Sequence, residues 1–382
     1  MGVEFIGQIS TQFASEIHPS SGPAIDPDFV RRFVGAHEDA GFDKVLVGHS
    51  ASSADGLQVA AFAAAHSERL GYLVAHRPGF MAPTMAARAF ATLDRFSGGR
   101  VAVHTVSGGS EADQARDGDH LDKEGRYRRT DEYLEVMMRT WTAEEPFDHR
   151  GEFYDVADVN AVARPVQQPR IPIYFGGSSE AAYRVGGKHA DVFALWGEPL
   201  AETAEQIAAV HEAARAAGRS TMPRISVSFR PILGTTEEQA WERAHDVLDR
   251  IVAADGGSGS FTGRTTHRQG HETTRTNAGS QRLLAAAERG ELHDRALWTP
   301  TAAASGAAGN STALVGTPET VAQALLDYVD IGVTTILIRG YDPLNDAVDY
   351  GRELIPLVRE EVARRDAAAV VSGSADLVGA AR

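Results

Sequence analysis

The sequence predicts an α/β fold, specifically a (β/α)8 barrel with a long insertion before its eighth strand. Three observations carry this expectation. Short apolar runs alternate with amphipathic stretches along the whole chain, and such alternation builds parallel βαβ units. Eight such units in 382 residues suit one large barrel better than an open sheet. The first apolar run is followed by IGQIST rather than a GxGxxG turn, so a dinucleotide-binding sheet lacks its phosphate loop.

Taken in order, Val3 to Ile9 is apolar enough for the first strand. A proline-rich loop through Pro19, Pro23 and Pro27 leads to a helix with Val30, Phe33, Val34 and Ala40 at helical spacing, with Asp28 as its candidate cap. Gly41 ends that helix before the second strand, Lys44 to Val47. The cycle repeats through helix Gln58 to Ser67, strand Gly71 to Ala75, helix Pro83 to Phe96 and strand Val101 to Val106. A charged loop, Glu111 to Arg126, precedes helix Arg129 to Thr142, and Phe147 to Val159 reads as an inserted hairpin. The fifth strand is Ile171 to Phe175. Then come strand Asp191 to Trp196, helix Glu202 to Ala217, strand Arg224 to Leu233 and helix Glu237 to Ala254. The excursion Asp255 to Ser311 is too long for a plain connection and is either a mobile lid or disordered; it carries one helical piece, Ser280 to Arg289. Helix Pro318 to Ile331 and strand Thr335 to Arg339 complete the series. One domain over 1–365 is expected, with insertion 255–311 inside it. The tail 366–382, rich in Ala, Gly and Ser, predicts disorder.

Composition narrows the function classes. A formal charge of −15 argues against nucleic acid or an anionic membrane as partner. The absence of cysteine excludes disulfides and thiolate chemistry. No run of roughly 18 apolar residues occurs, and the expectation is a cytoplasmic protein. Neither HExxH nor a Ser-His-Asp order is present, so no metal site is expected and hydrolase readings lack support.

Barrel chemistry sits where the strands end. There the chain offers His49 and Ser53, then Ala75, His76 and Arg77, then His104 to Ser110 (HTVSGGS), WGEP from Trp196, Phe229 and Arg230, and Arg339 to Tyr341. The fifth strand runs straight into Gly176, Gly177, Ser178 and Ser179 at the start of a helix. Glycines let a ligand approach the backbone, and a helix start presents unpaired N–H groups, a combination suited to a phosphate. A mouth rich in Gly, Ser, His and aromatic residues but poor in acids suits a phosphorylated cofactor.

Five ordered motifs, ATLDRFSGGR, PVQQPRIPIYFGGSS, WGEP, STALVGTPETVA and RGYDPLNDA, resemble the alkanesulfonate monooxygenase branch of the bacterial luciferase-like flavin family. The resemblance runs from about Val3 to Val358 and includes SQRLLAAAERGEL, with Trp298 beyond it. It implies a two-component monooxygenase that takes reduced FMN (FMNH2) from a separate NAD(P)H-dependent flavin reductase. With O2, such an enzyme oxidises a small organosulfonate to sulfite and an aldehyde. It also implies assembly as a homodimer or homotetramer. Carried onto this chain, Gly177, Ser178 and Ser179 would hold the FMN phosphate near Tyr127, and Ala75, His104 and Ser107 would line the flavin ring. Trp196 and Tyr341 match pocket residues and join Arg230 as catalytic candidates.

Departures bear on the substrate. Where the family carries an Arg-x-His pair on its seventh strand, SVSFRPI offers Ser228 and Arg230; the family cysteine falls at Ser53; and the lid arginine is missing from SGAAGNSTALVG. Ser53, Ser228, Arg230 and Trp298 are therefore the substrate-binding candidates, and the fork of Arg230 suits an anion. A substrate larger and more polar than a short alkanesulfonate is expected, with C–N cleavage of a heterocycle such as a flavin as an alternative. Two other readings stay open: a deazaflavin-dependent oxidoreductase and a non-catalytic flavin-binding protein.

Overall fold

The computed structural model describes residues 2–108, 110–255 and 277–379. The strands are β1 (Glu4–Ile9), β2 (Lys44–Val47), β3 (Gly71–His76), β4 (Val101–Thr105), the hairpin β5 (Phe147–Arg150) and β6 (Asp155–Val159), β7 (Ile173–Gly176), β8 (Val192–Trp196), β9 (Arg224–Leu233), β10 (Leu292–His293), β11 (Leu297–Trp298), β12 (Ala313–Gly316) and β13 (Val333–Ile338). β1, β2, β3, β4, β7, β8, β9 and β13 pair in parallel and close when β13 bonds to both β9 and β1. The eight-stranded barrel expected from the alternation is therefore present.

Side-chain alternation explains why these runs form a barrel. Ile6, Leu73, Ala102, Tyr174, Val192 and Leu337, with Leu46 partly buried, meet in one cluster inside it, one residue from each of seven strands. Their chain neighbours Phe5, Val45, Tyr72, Val101, Val103, Phe175 and Phe193 join the outer core beneath the helices. Below the apolar layer, Glu4 closes the floor. It pairs with Lys44 and accepts hydrogen bonds from the Tyr174 hydroxyl at 2.8 Å and the Thr335 hydroxyl at 3.2 Å.

The helices around the barrel are α1 (Pro27–Asp39), α2 (Gly56–Ala64), α3 (Pro83–Ser97), α4 (Glu111–Arg116), α5 (Lys123–Thr142), α6 (Glu180–His189), α7 (Leu200–Ala216), α8 (Glu237–Asp255), α9 (Ala278–Arg289), α10 (Pro300–Ala304), α11 (Pro318–Asp330), α12 (Pro343–Asp349) and α13 (Ile355–Gly379). Asp26, not Asp28, caps α1, its carboxylate accepting from the N–H groups of Asp28 and Phe29. The charged stretch after β4 is not all loop. Ser110 caps α4, and α5 already begins at Lys123. The tail expected to be disordered is instead helical as far as Gly379; alanine, the strongest helix former, dominates its start. No helix among the described residues is long and apolar enough to cross a membrane.

The insertion departs most from expectation. Residues 256–276 lie outside the described residues, but 277–311 folds against the barrel. Arg282 on α9 donates to both oxygens of the buried Glu198 carboxylate at 2.9 and 2.8 Å, Arg289 pairs with Glu202, and the Leu200 N–H donates to Asp294 at 2.8 Å. Only the first half of β9 serves the barrel; Arg230 to Leu233 pair with β12, so the insertion returns as an added sheet of β10, β11 and β12.

Candidate functional site

Inward-facing positions continue past the apolar layer to the C-terminal rim. Two residues beyond Leu73, Ala102, Tyr174 and Leu337 come Ala75, His104, Gly176 and Arg339, and Trp196 lies opposite Ser228 in register. Ala75, His104, Gly176, Trp196 and Ser228 thus form one arc over five adjacent strands.

At the centre of the arc β7 ends on Gly176. A side chain there would meet the His104 ring at 3.2 Å. Gly177 has φ +148, and a Cβ on it would lie 2.7 Å from that of Ala182, so the turn into α6 requires glycine. Ser179 caps α6 through the Ala182 N–H at 3.3 Å and donates to the Tyr127 hydroxyl at 3.4 Å. Ser178, half-buried, precedes it in the chain. Burial raises the pKa of Tyr127, keeping its phenol a neutral donor. Ser107 bonds to Thr130 on α5 at 3.1 Å. The seven expected cofactor residues therefore share the β3–β4–β7 side of the mouth.

These residues fit an FMN. The His104 Nδ1 is buried and has no hydrogen-bond partner among the described residues, a condition that a ligand contact relieves. Burial pushes the His104 imidazole down to about 4, so it is neutral at physiological pH. The helix start supplies the partial positive charge a phosphate needs.

Of the expected substrate residues, Ser228 alone joins that arc, its hydroxyl donating to the Leu195 carbonyl at 3.3 Å. Ser53 is exposed and satisfied by Ser50, accepting its N–H and donating to its carbonyl, both at 2.9 Å. Trp298 is core, on β11 alongside β12, its ring edge-on to Trp241 at 5.9 Å. Tyr341 is buried in the same cluster, its ring 3.8 Å beneath the Arg230 guanidinium. Arg230 is 1% exposed. It donates to Glu16 through Nη1 at 2.9 Å and Nη2 at 3.0 Å, and to the carbonyls of Arg339 and Gly340 at 3.0 and 2.9 Å. A guanidinium so engaged has little left for a substrate, so the expectation of direct substrate contact by Arg230 gives way to a structural one. Trp196 keeps its place at the mouth. Gly279 on α9 packs against it, and a Cβ there would lie 2.7 Å from the indole.

Sequence reasoning missed Glu16, which lies in a loop with no pattern to mark it, and Glu198, read only as part of an aromatic turn. Asp131, Glu135 and His189 bring three ligand atoms within 4.8 Å, but the Lys188 ammonium already bonds both carboxylates, at 2.7 and 2.6 Å.

His37, His76 and His104 are all pushed down to about 4, burial being the first cause in each. The unfolded chain takes up these protons near 6.5 while the fold resists until about 4, so stability is lost as pH falls through that window. Thermal melts should show a transition temperature that is level above pH 7 and drops between pH 6.5 and 4. His37→Gln should flatten that slope, and a melting temperature constant over the window would contradict the assignment.

Barrel, rim and helix start together define an α/β-barrel protein whose mouth carries a capped helix start. The chain belongs to the luciferase-like monooxygenase family, whose sequence model matches residues 3–335. That match is to the family as a whole and does not single out the sulfonate branch. Among solved structures, the chain is similar to a riboflavin lyase crystallised with modified FMN and riboflavin, at 21% identity and TM-score 0.77, covering 94% of this chain and 92% of that one. It is similar to EDTA monooxygenase from Chelativorans sp. BNC1 at 16% identity and TM-score 0.71, covering 94% of each. It also resembles the oxygenating constituent of 3,6-diketocamphane monooxygenase from Pseudomonas putida in complex with FMN, at 17% identity and TM-score 0.68, covering 95% of this chain and 99% of that one.

Proposed function

We propose that the chain is the oxygenase of a two-component system that binds reduced FMN from a separate NAD(P)H-dependent reductase and oxygenates a small organic substrate, organosulfonates being the first class to try. The observation that carries this reading is the capped helix start of Ser178 and Ser179 against Tyr127, beside a neutral, unpartnered His104, in a chain of this family. When bound, reduced FMN supplies the two electrons with which one atom of O2 enters the substrate and the other leaves as water. The chain's own part is to hold and shield. The start of α6 receives the phosphate, Gly176 and Gly177 allow close approach, and His104 offers a hydrogen bond without charge. The docked segment 277–311 covers Trp196, and excluding water there limits loss of oxygen as hydrogen peroxide.

The test is a substrate screen with FMN, a flavin reductase and O2, assaying sulfite, aldehyde and hydrogen peroxide separately, with reduced deazaflavin in anaerobic controls. Sulfite release supports the organosulfonate reading. Oxygen-dependent turnover of a sulfur-free nitrogen heterocycle, the class to which riboflavin, named with the similar lyase, belongs, supports the alternative of C–N cleavage. Turnover only with deazaflavin and no oxygen overturns the proposal. Arg282→Met leaves the Glu198 carboxylate buried without its guanidinium. It should raise the peroxide fraction several-fold, with FMN affinity little changed; unchanged coupling would remove the shielding role of this segment.

A further inference from the structure

Three charged groups meet on the opposite side of the mouth from the flavin cradle. Glu16, from the loop between β1 and α1, accepts from both nitrogens of the Arg230 fork and also from Arg339 Nη2 at 2.9 Å. Two guanidinium groups thus share one carboxylate. Burial, and then the charge of Arg230, lower the Arg339 pKa to about 10, with Glu16 acting the other way.

The two arginines are not equivalent. Arg230 is sealed off. Arg339 keeps 12% of its side chain exposed, and its position two residues beyond Leu337 turns it toward the mouth.

Asn310, in the stretch joining α10 to β12, completes the arrangement. Its Oδ1 accepts from Arg339 Nε at 2.9 Å. Arginine Nε only donates, so this bond fixes the orientation of the amide. The Nδ2 is then a donor, and it is buried with no hydrogen-bond partner among the described residues. The Ser228 hydroxyl is taken by the Leu195 carbonyl at 3.3 Å. Guanidinium and amide donors therefore meet where the docked insertion meets the barrel rim, and an oxyanion of the substrate is the partner such a donor pair takes.

We propose that Arg339 and Asn310, held in place by the Arg230–Glu16 pair, form the subsite for the anionic group of the substrate, a carboxylate or sulfonate. The inference rests on the reading of the mouth as the active site, and it moves anion recognition from Arg230 to a residue one strand away. Tyr341, stacked under Arg230, is then a positioning residue for the support and not part of the subsite.

Protein saturated with FMN, so that the phosphate site is filled, is titrated calorimetrically with methanesulfonate and with the neutral, similarly shaped dimethyl sulfone. If FMN does not bind, the same comparison is made on the protein alone. Wild type is expected to bind the sulfonate and not the sulfone. Asn310→Leu and Arg339→Met should each weaken the sulfonate about ten-fold, as for loss of a charged hydrogen bond, with FMN affinity unchanged. Equal binding of sulfonate and sulfone, or variants that bind like wild type, overturns the proposal. If Arg339→Met does not fold, Asn310→Leu, in a half-exposed stretch, decides alone. Anion binding without oxygen-dependent turnover would refute the monooxygenase reading and leave the subsite standing. Turnover confined to uncharged substrates would do the reverse.

Discussion

Replacing Glu16 with alanine is expected to destabilise the protein by about 3–5 kcal/mol, the cost of breaking a buried ion pair by removing one partner. Without Glu16, the Arg230 guanidinium keeps two carbonyls and the Tyr341 ring but loses its only acid among the described residues, at 1% exposure. The shared carboxylate carries a pKa well below the usual range; burial works against this, but Arg230 and then Arg339 outweigh it. Arg230→Met should cost less than Glu16→Ala, because it leaves one arginine on one carboxylate and puts a flexible apolar chain over Tyr341. Urea unfolding of both variants measures the difference. A loss below about 1 kcal/mol for Glu16→Ala, the range of surface pairs, would mean that the cluster is hydrated and the support described here is absent.

The second large effect is on cofactor binding. Ser179→Asp should lower FMN affinity by about two powers of ten while the protein stays folded. Aspartate caps helices as well as serine does, so α6 keeps the bond to the Ala182 N–H. Its carboxylate, however, occupies the point to which the phosphate is assigned, and like charges a few ångströms apart at a partly buried site repel by about 3 kcal/mol. Riboflavin, which lacks the phosphate, is the control and should bind the variant as it binds wild type. Equal losses for FMN and riboflavin would move the phosphate away from this helix start.

The barrel was legible because its signals are local and periodic. Most strands are short apolar runs followed closely by glycine or proline, and eight repeats leave few other topologies. The helix start at Ser178 and Ser179 was legible for the same reason, a strand, two glycines and two hydroxyls within one contiguous stretch. What escaped depends on distant residues. Nothing around Glu16 in STQFASEIHPS marks it as the partner of residues 214 and 323 positions away. Arg230 looked available because a strand's mouth end faces substrate, yet a loop from the far side of the sequence fills its fork. Tyr341 matches a family pocket position, but it and Trp298 are buried in one cluster with Ala313 and Val315 of β12, a strand absent from the pattern. The excursion 255–311 read as a mobile lid or disorder, and contacts to distant residues, Glu198–Arg282 and Glu202–Arg289 among them, reveal 277–311 as docked.

The central claim is that the mouth is built for reduced FMN, and an anaerobic titration tests it most directly. Wild-type protein is titrated with photoreduced FMN and, separately, with oxidised FMN, following tryptophan fluorescence, since Trp196 lies at the mouth. Reduced FMN is expected to bind more tightly than oxidised FMN, with flavin oxidation coupled to product once oxygen and substrate are admitted. Preference for the oxidised form, or binding of neither, would contradict it.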